Sequence, residues 1–517
     1  MPLVKFTNVG ALGQNRDADE IDLALTPAFE WSGGNNVRFS DGYAEKFTGE
    51  SSHHGEPSVT PYGIFFSNTA NRYEVYTGLQ KIYATTGSTH TDITRSLGNY
   101  TGTIDNKWTG AVLSGTLILN NGVDDPQFWA GDIGTPCAKL TNWPASTKAK
   151  VVRVFDNFII ALNITEGSTN YPSMVRWSTP ADPGTLPASY DYTSTTNDAG
   201  RVEGVLSSTP DKIVDGLAQD NTFFIYKESS IYAMQYIGGK QIFRFSGVSK
   251  IAGAMGIDCV ASTPVGHVIL SDGDVLINQS GNIQSIIDKR MRRWIFNNID
   301  SDNRQKSFVV ANPYKNEAWI CYPENGKVWP NKAVVWNYKD NTFATRDIQN
   351  LTHANSGIIT AADTDTWNSR TDTWNDSDDI WSVNNYSQAS TRLVLCSSDK
   401  KLLLADLTRT FDGASMTSYI ERTGIDFGYP ESIKLCSAVR PRFDSIDGTV
   451  IRVYVGKQAS LDSGITWSSP VNYTVGTSLK CDFNVSGRYL AVKFESINSA
   501  PWRLKSFDLD IKQLGMY

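Results

Sequence analysis

The chain has little of what most catalysts and membrane proteins need. Its 517 residues include only five histidines, His53, His54, His90, His267 and His353. None sits in an HExxH pattern, and P-loop, GxSxG and Rossmann glycine signatures are missing as well. No run approaches the ~18–20 consecutive apolar residues that cross a bilayer, and Met1–Asn8 lacks the apolar core of a secretory signal. Six scattered cysteines (Cys137, Cys259, Cys321, Cys396, Cys436, Cys481) contain no CxxC pair. That predicts free buried thiols in a protein made in a reducing cytosol. A basic excess is missing too: 47 Lys and Arg against 54 Asp and Glu give a net charge of −7. A protein whose main task is gripping nucleic acid is therefore disfavoured, since grip comes from clustered cations. No catalytic residue, cofactor or metal ligand is assigned.

What is present is an ordinary globular composition, 40% hydrophobic and 20% charged. Gly 41, Pro 20, Trp 14, Tyr 22 and Phe 22, with few helical stretches, tilt the class to all-β. A recurring unit sets the architecture. A β-branched or aromatic run meets a polar turn, then a second such run that often ends in Trp or Tyr. Copies are Leu113–Leu119 with Gln127–Trp129, Val151–Leu162 with Met174–Trp177, and Phe223–Tyr226 with Ile231–Tyr236. Others are His267–Leu270 with Val275–Asn278, and Glu317–Tyr322 with Ala333–Tyr338. The anchors Leu117, Ile160, Phe224, Ile269 and Trp319 are separated by 43, 64, 45 and 50 residues, close to the repeat of a propeller blade. We expect a β-propeller of about six blades over 59–410, with inserted loops at 180–197 and 363–382. Residues 411–517 read as a small antiparallel β-sandwich, since Arg488–Leu490–Val492–Phe494 and Phe507–Leu509–Ile511 alternate. Residues 1–58, polar and Gly-rich, read as an N-terminal extended arm.

Several local features invite function. Ile287–Asn298 places Ile287, Met291, Trp294 and Ile295 on one helical face. Its cations Lys289, Arg290, Arg292 and Arg293 form the one dense positive patch of the sequence and are candidate interaction residues. They either touch phosphate or form the solvated or partner-facing side of that helix. Trp367, Trp374 and Trp381 recur every seven residues, each two positions after an aspartate. Successive tight turns that tuck each ring into a groove are the preferred reading, and Ca²⁺ binding by the carboxylates is the other. Ser460–Trp467 has the form of an Asp-box turn, in which Asp462 would accept turn amide hydrogens. Glycosidase acids lie far apart in sequence, so a propeller that binds or cleaves host surface glycans stays as an alternative without named residues. A cytosolic propeller scaffold of cellular origin fits the composition equally.

Three longer blocks, "VGALGQNRDADEIDLAL" (Val9–Leu25), "VDGLAQDNTFFIYKESSIYAMQYIGG" (Val214–Gly239) and "GVSKIAGAMGIDCVASTPVGHVILSDGDVLINQSGNIQSI" (Gly247–Ile286), precede the basic helix. Together with "SYIERTGIDFG" (Ser418–Gly428) and "GRYLAVKFES" (Gly487–Ser496), they resemble the tail nozzle or hub (packaged-DNA stabilisation) proteins of P22-like short-tailed bacteriophages. The likeness spans nearly the whole chain, and the Asp363–Trp381 segment departs from it. It implies a structural virion protein, made in the host bacterial cytoplasm and built into the tail as a homohexamer below the adaptor ring. Such a ring would retain packaged DNA, conduct it on ejection through transient non-specific contacts, and seat a tail fibre or tailspike and a needle or plug. A net charge of −7 suits a channel through which DNA slides better than a clamp.

Overall fold

A computed structural model describes residues 3–68, 72–359 and 391–516. Among these residues, seven four-stranded antiparallel sheets follow one another: 63–92, 109–139, 147–202, 213–249, 260–285, 308–347, and 351–405 with a strand from elsewhere. We number them blades 1 to 7. Their first strands touch in cyclic order, blade 1 to blade 2 and so on to blade 7, which returns to blade 1. That closed ring is a β-propeller with seven blades rather than about six.

Local chemistry explains the blades. Tight turns take residues that tolerate positive φ: Ser114-Gly115 joins Thr109–Leu113 to Thr116–Asn120, and Ser280-Gly281 closes another hairpin. The second strands Thr116–Asn120, Gly266–Ser271 and Glu317–Tyr322 are buried at every position, because blades cover both of their faces. All five anchors, from Leu117 to Trp319, lie on the second strands of blades 2 to 6. Where blades converge, side chains must be small. A Cβ on Gly110 would lie 2.5 Å from Phe65, and one on Gly357 would lie 2.3 Å from Phe66. The inserted stretch Pro180–Asn197 does run as a loop, between the third and fourth strands of blade 3, with Tyr190 buried edge-on against Trp143. Residues 363–382, with Trp367, Trp374 and Trp381, lie outside the described residues.

Residues 1–58 are not an extended arm. Strand Glu50–Ser52 pairs with Lys401–Ala405 as the outer strand of blade 7, so the ring is closed by the chain's own N-terminal region. Earlier strands join a sandwich of two six-stranded sheets. Leu3–Phe6, Val37–Ser40 and Tyr43–Lys46 belong to the sheet centred on Trp502–Met516 and Ser432–Ser445, and Gly33–Asn35 borders the sheet of Ser418–Ile425, Tyr489–Ser496 and Val450–Gln458. The physical reason is burial: Phe6, Phe29 and Trp31 pack around Phe507 in the sandwich core at ring-centroid distances of 5.2 Å or less between neighbours such as Phe6–Phe29, Phe6–Phe507 and Phe29–Trp31. The alternation read at Leu490, Val492, Phe494 and at Phe507, Leu509, Ile511 does point inward. One continuous apolar core then joins the sandwich to blades 6 and 7 through Trp319, Leu351 and Leu395.

Between the two bodies lies a fully buried ion cluster. Arg38 contacts Glu317 at 3.0 Å and Asp406 at 2.7 Å, and Arg346 contacts Glu50 at 2.9 Å. Arg38 lies over the Phe47 ring, and Arg346 over the Phe47 and Trp319 rings. Burial works against the Asp406 charge, yet Arg38 and Arg346 hold its carboxyl down to about 2. Burial raises the Glu50 and Glu317 carboxyls despite their guanidinium partners.

Two outcomes follow from this interlocking. A chain lacking residues 1–58 is expected to lose cooperative unfolding in a circular-dichroism melt and to be digested throughout by a protease that leaves the whole chain intact. Arg346→Met leaves buried carboxylates uncompensated and should lower stability by about 3–5 kcal/mol in urea titrations.

Candidate functional site: the propeller axis and its basic mouth

In a propeller the innermost strands surround a central channel, and here polar side chains meet inside it. Arg153, on the first strand of blade 3, donates from Nε to Asp215 Oδ1 at 3.0 Å and from Nη2 to Asp215 Oδ2 at 2.9 Å. The same Nη2 reaches Asp258 Oδ1 at 3.1 Å, while the backbone N–H of Asp258 donates to Asp215 Oδ2 at 2.9 Å. Lys107, leading into blade 2, donates to the carbonyls of Ile257 and Ser307, both at 2.8 Å. His353 of blade 7 accepts the Ile64 N–H of blade 1 at Nδ1 (3.2 Å) and turns Nε2 toward Asp258 at 3.9 Å. The segments leading into or forming the inner strands of all seven blades are thus tied together across the axis.

The electrostatics are those of a clasp. Two carboxylates facing one another would repel, and Arg153 lies between them with a bidentate grip on Asp215. Burial pushes the Asp215 carboxyl up and the His353 imidazole down to about 4. An acceptor role at Nδ1 requires the proton of neutral His353 to sit on Nε2. Both axial carboxylates are paired with the chain's own Arg153.

Around this clasp, at the entry ends of the inner strands, opens a cavity of about 470 Å³ lined by Lys107, Lys148, Lys150, Lys212 and Arg304 among others. These cations come from four separate blade entries, and sequence reading missed the cluster. The available signal was positional: a Lys or Arg stands at or shortly before the first strand of blades 2, 3, 4 and 6. Most are paired. Lys148 meets Asp125 at 2.6 Å, Lys212 meets Glu228 at 3.0 Å and Arg304 meets Asp272 at 3.1 Å. Burial, with Lys212 nearby, pushes the Lys150 ammonium down.

The sequence-derived patch at Lys289, Arg290, Arg292 and Arg293 lies elsewhere and works differently. The helix spans only Arg292–Asn298, because Lys289 takes a left-handed φ of 59° and ends any continuous helix from Ile287. Ile287, Met291 and Ile295 are still buried, as the apolar face required. Asp17 caps the helix from the N-terminal segment, accepting the N–H of Arg293 at 2.7 Å and of Trp294 at 3.0 Å. The Arg290 carbonyl accepts the N–H of Arg16 and Asp17; Arg290 Nη1 donates to Asn341 O and Arg292 Nε to Gly273 O. The patch therefore holds the chain's own segments, with exposed Lys289, Arg292 and Arg293 at its rim. The Asp-box-like turn lies in the sandwich, where Ser463 closes it: its hydroxyl donates to Ser460 O at 2.6 Å and accepts the Ser460 N–H. The hydrogen bonds expected at Asp462 are made by its neighbour. All six cysteines are free and buried.

No protein-family model matches the sequence, and a comparison with curated proteins returns no match. Among solved structures, the WD40 β-propeller domain of Doa1 is similar over 69% of this chain and 97% of its own, at 8% identity and a TM-score of 0.36. YCF48, bound to D1 peptide, is similar over 68% and 95% at 9% identity and a TM-score of 0.37. An exo-β-1,3-galactanase from Phanerochaete chrysosporium, with galactose, is similar over 81% and 98% at 10% identity and a TM-score of 0.27. These likenesses concern fold alone.

Two buried histidines, His353 in the clasp and His267 beside Tyr226, set an acid limit on stability. His353 and His267 ordinarily titrate at 6.5, and burial pushes both down to about 4. Between those values the unfolded chain binds protons that the folded chain does not. Their contribution is therefore complete above pH 6.5 and is lost as pH falls toward 4, at about 3 kcal/mol for each histidine. Urea midpoints should drop across that window, and His267→Gln should flatten the drop relative to the parent chain.

Proposed function

We propose that this chain is a structural subunit of a short-tailed bacteriophage tail, the nozzle or hub that sits below the adaptor ring as a homohexamer. In this reading it retains packaged DNA in the filled head and conducts it on ejection. It also gives a seat to a fibre or tailspike and to a needle or plug. The protein resides in the virion tail after synthesis in the host bacterial cytoplasm.

The observation that carries the proposal is the filled axis. Arg153 bridges Asp215 and Asp258, His353 turns toward Asp258 and Lys107 is tied to backbone carbonyls. Charged side chains thus cross the ring centre, and in this reading the DNA path lies outside the single propeller. It runs between copies. That requires a closed ring with heterologous contacts, one face of each copy against a different face of the next. Rigidity supports this use, because the N-terminal strands lock propeller and sandwich into one body. Tyr236 and Ile237, at the tip of a blade 4 hairpin, are 53% and 51% exposed and offer apolar contact area on the outer surface. The mouth cations are mostly neutralised by their own carboxylates, which limits the counterion release that would make DNA stick.

Electron microscopy of the purified protein, alone and with tailed heads, tests the proposal directly. The expected image is a sixfold ring with an axial pore, bound at the adaptor end of the particle. A monodisperse monomer that never joins the particle would overturn it.

A further inference from the structure

His53 and His54 directly follow the strand that closes blade 7, and the backbone N–H of His53 still donates to Leu402 O at 2.8 Å. In a regular strand, adjacent side chains point to opposite faces. His54 instead adopts a left-handed φ of 61°, which folds its ring back onto that of His53 with centroids 3.6 Å apart. The imidazole of His90 holds the turn by donating from Nε2 to the His54 carbonyl at 2.8 Å. Both rings then face Glu74, on the second strand of blade 1. His53 Nε2 lies 2.9 Å and His54 Nε2 3.1 Å from the same oxygen, Glu74 Oε1. The side chains are 7%, 2% and 2% exposed. The other oxygen, Glu74 Oε2, is buried and has no hydrogen-bond partner.

We propose that His53, His54 and Glu74 bind a divalent transition-metal ion of the zinc type, which staples the closing strand of blade 7 to blade 1. The chemistry of the donor set fits: two imidazole nitrogens and a carboxylate make up a known zinc set, completed by a fourth ligand. The three donor atoms lie within 4.8 Å of one another. Bonds of about 2.0–2.2 Å in a tetrahedron place ligand atoms roughly 3.3 Å apart, so the two imidazole–carboxylate distances of 2.9 and 3.1 Å would widen by only a few tenths of an ångström. Each imidazole would coordinate through the Nε2 lone pair and carry its proton on Nδ1. The ionised Glu74 would supply one negative charge, and its unpartnered Oε2 or a water would complete the shell. Calcium is disfavoured, because it prefers six to eight oxygen ligands.

The staple has a consequence for the fold. The ring's two ends meet where Glu50–Ser52 pairs with Lys401–Ala405, and these three residues hold that closing strand against blade 1. Bound metal should slow the opening of that contact.

The test titrates Zn²⁺ into the chelator-stripped full-length chain. The expected result is one ion per chain by elemental analysis, a higher melting temperature, and slower proteolysis within residues 50–77. Glu74→Gln, which keeps an acceptor for both imidazoles, and His54→Gln should each weaken binding by more than the roughly 10–100-fold that loss of an outer-shell partner costs. Absence of stoichiometric Zn²⁺ binding would overturn the proposal, as would binding unchanged in both folded variants. Should either variant fail to fold, X-ray absorption on the Zn²⁺-loaded parent chain decides. Two imidazoles in the shell support the site; fewer than two reject it.

Discussion

The rest of the structure depends on a buried charge cluster. Arg38 and Arg346 stand among Glu50, Glu317 and Asp406, two guanidiniums against three carboxylates, all shielded from water. Such a cluster adds little net stability, because the cost of desolvating the ions offsets most of their attraction. Its value is placement. Arg38 belongs to a sandwich strand, Glu50 to the closing strand, Glu317 and Arg346 to blade 6, and Asp406 follows the third strand of blade 7. Displacing any one of these four pieces would separate a buried charge from its partner. Thr48 and Asn312 donate further hydrogen bonds to Asp406 at 2.6 and 2.8 Å, and Trp319 donates Nε1–H to Glu317 at 2.9 Å.

This constraint makes the chain's two ends interdependent. The sandwich takes strands from residues 3–46 and from residues 418–516, and the propeller takes its last strand from residues 50–52. Neither body is complete until segments hundreds of residues apart have met, so most of the stabilising contacts are non-local. Folding of this kind is slow, because loop-closure entropy is lost before the contacts form. Once formed, however, the two bodies cannot rock as domains on a flexible linker can. In the proposed ring, a subunit bearing internal pressure would gain from that coupling.

Particular residues show what was legible in the sequence and what was hidden. Leu117, Ile160, Phe224, Ile269 and Trp319 were legible because second strands are covered on both faces and so carry unbroken apolar runs. Blade 1 was harder, since Arg72–Thr77 mixes charge into its strand, with Glu74 buried by its partners rather than by its own polarity. Blade 7 was hidden because its strands draw on both ends of the chain. The N-terminal strands were misread for a related reason. Phe6, Phe29, Trp31 and Phe39 are separated by polar and glycine-rich stretches, so no periodicity announces them, and only the sandwich shows where they go. The basic run at Lys289–Arg293 was visible but its partner was not, because Asp17 lies far away in sequence. The same limit hid the mouth cations and the carboxylate beside His53 and His54.

Charge placement then separates a conduit from a clamp. The chain carries a net charge of −7, yet cations gather at one mouth of the propeller. If those cations were free, six copies would offer a dense positive collar, and each neutralised phosphate would add affinity through counterion release. Instead Lys148, Lys212 and Arg304 already have carboxylate partners, and Lys107 is committed to backbone carbonyls. Burial and the nearby Lys212 push the Lys150 ammonium down. In the proposed conduit, these pairs would present a passing polyanion with both signs of charge, steering it without holding it. A ring of such blocks would present DNA with a wall that it can slide along, and the fully charged grip of a nucleic-acid-binding protein would defeat that purpose.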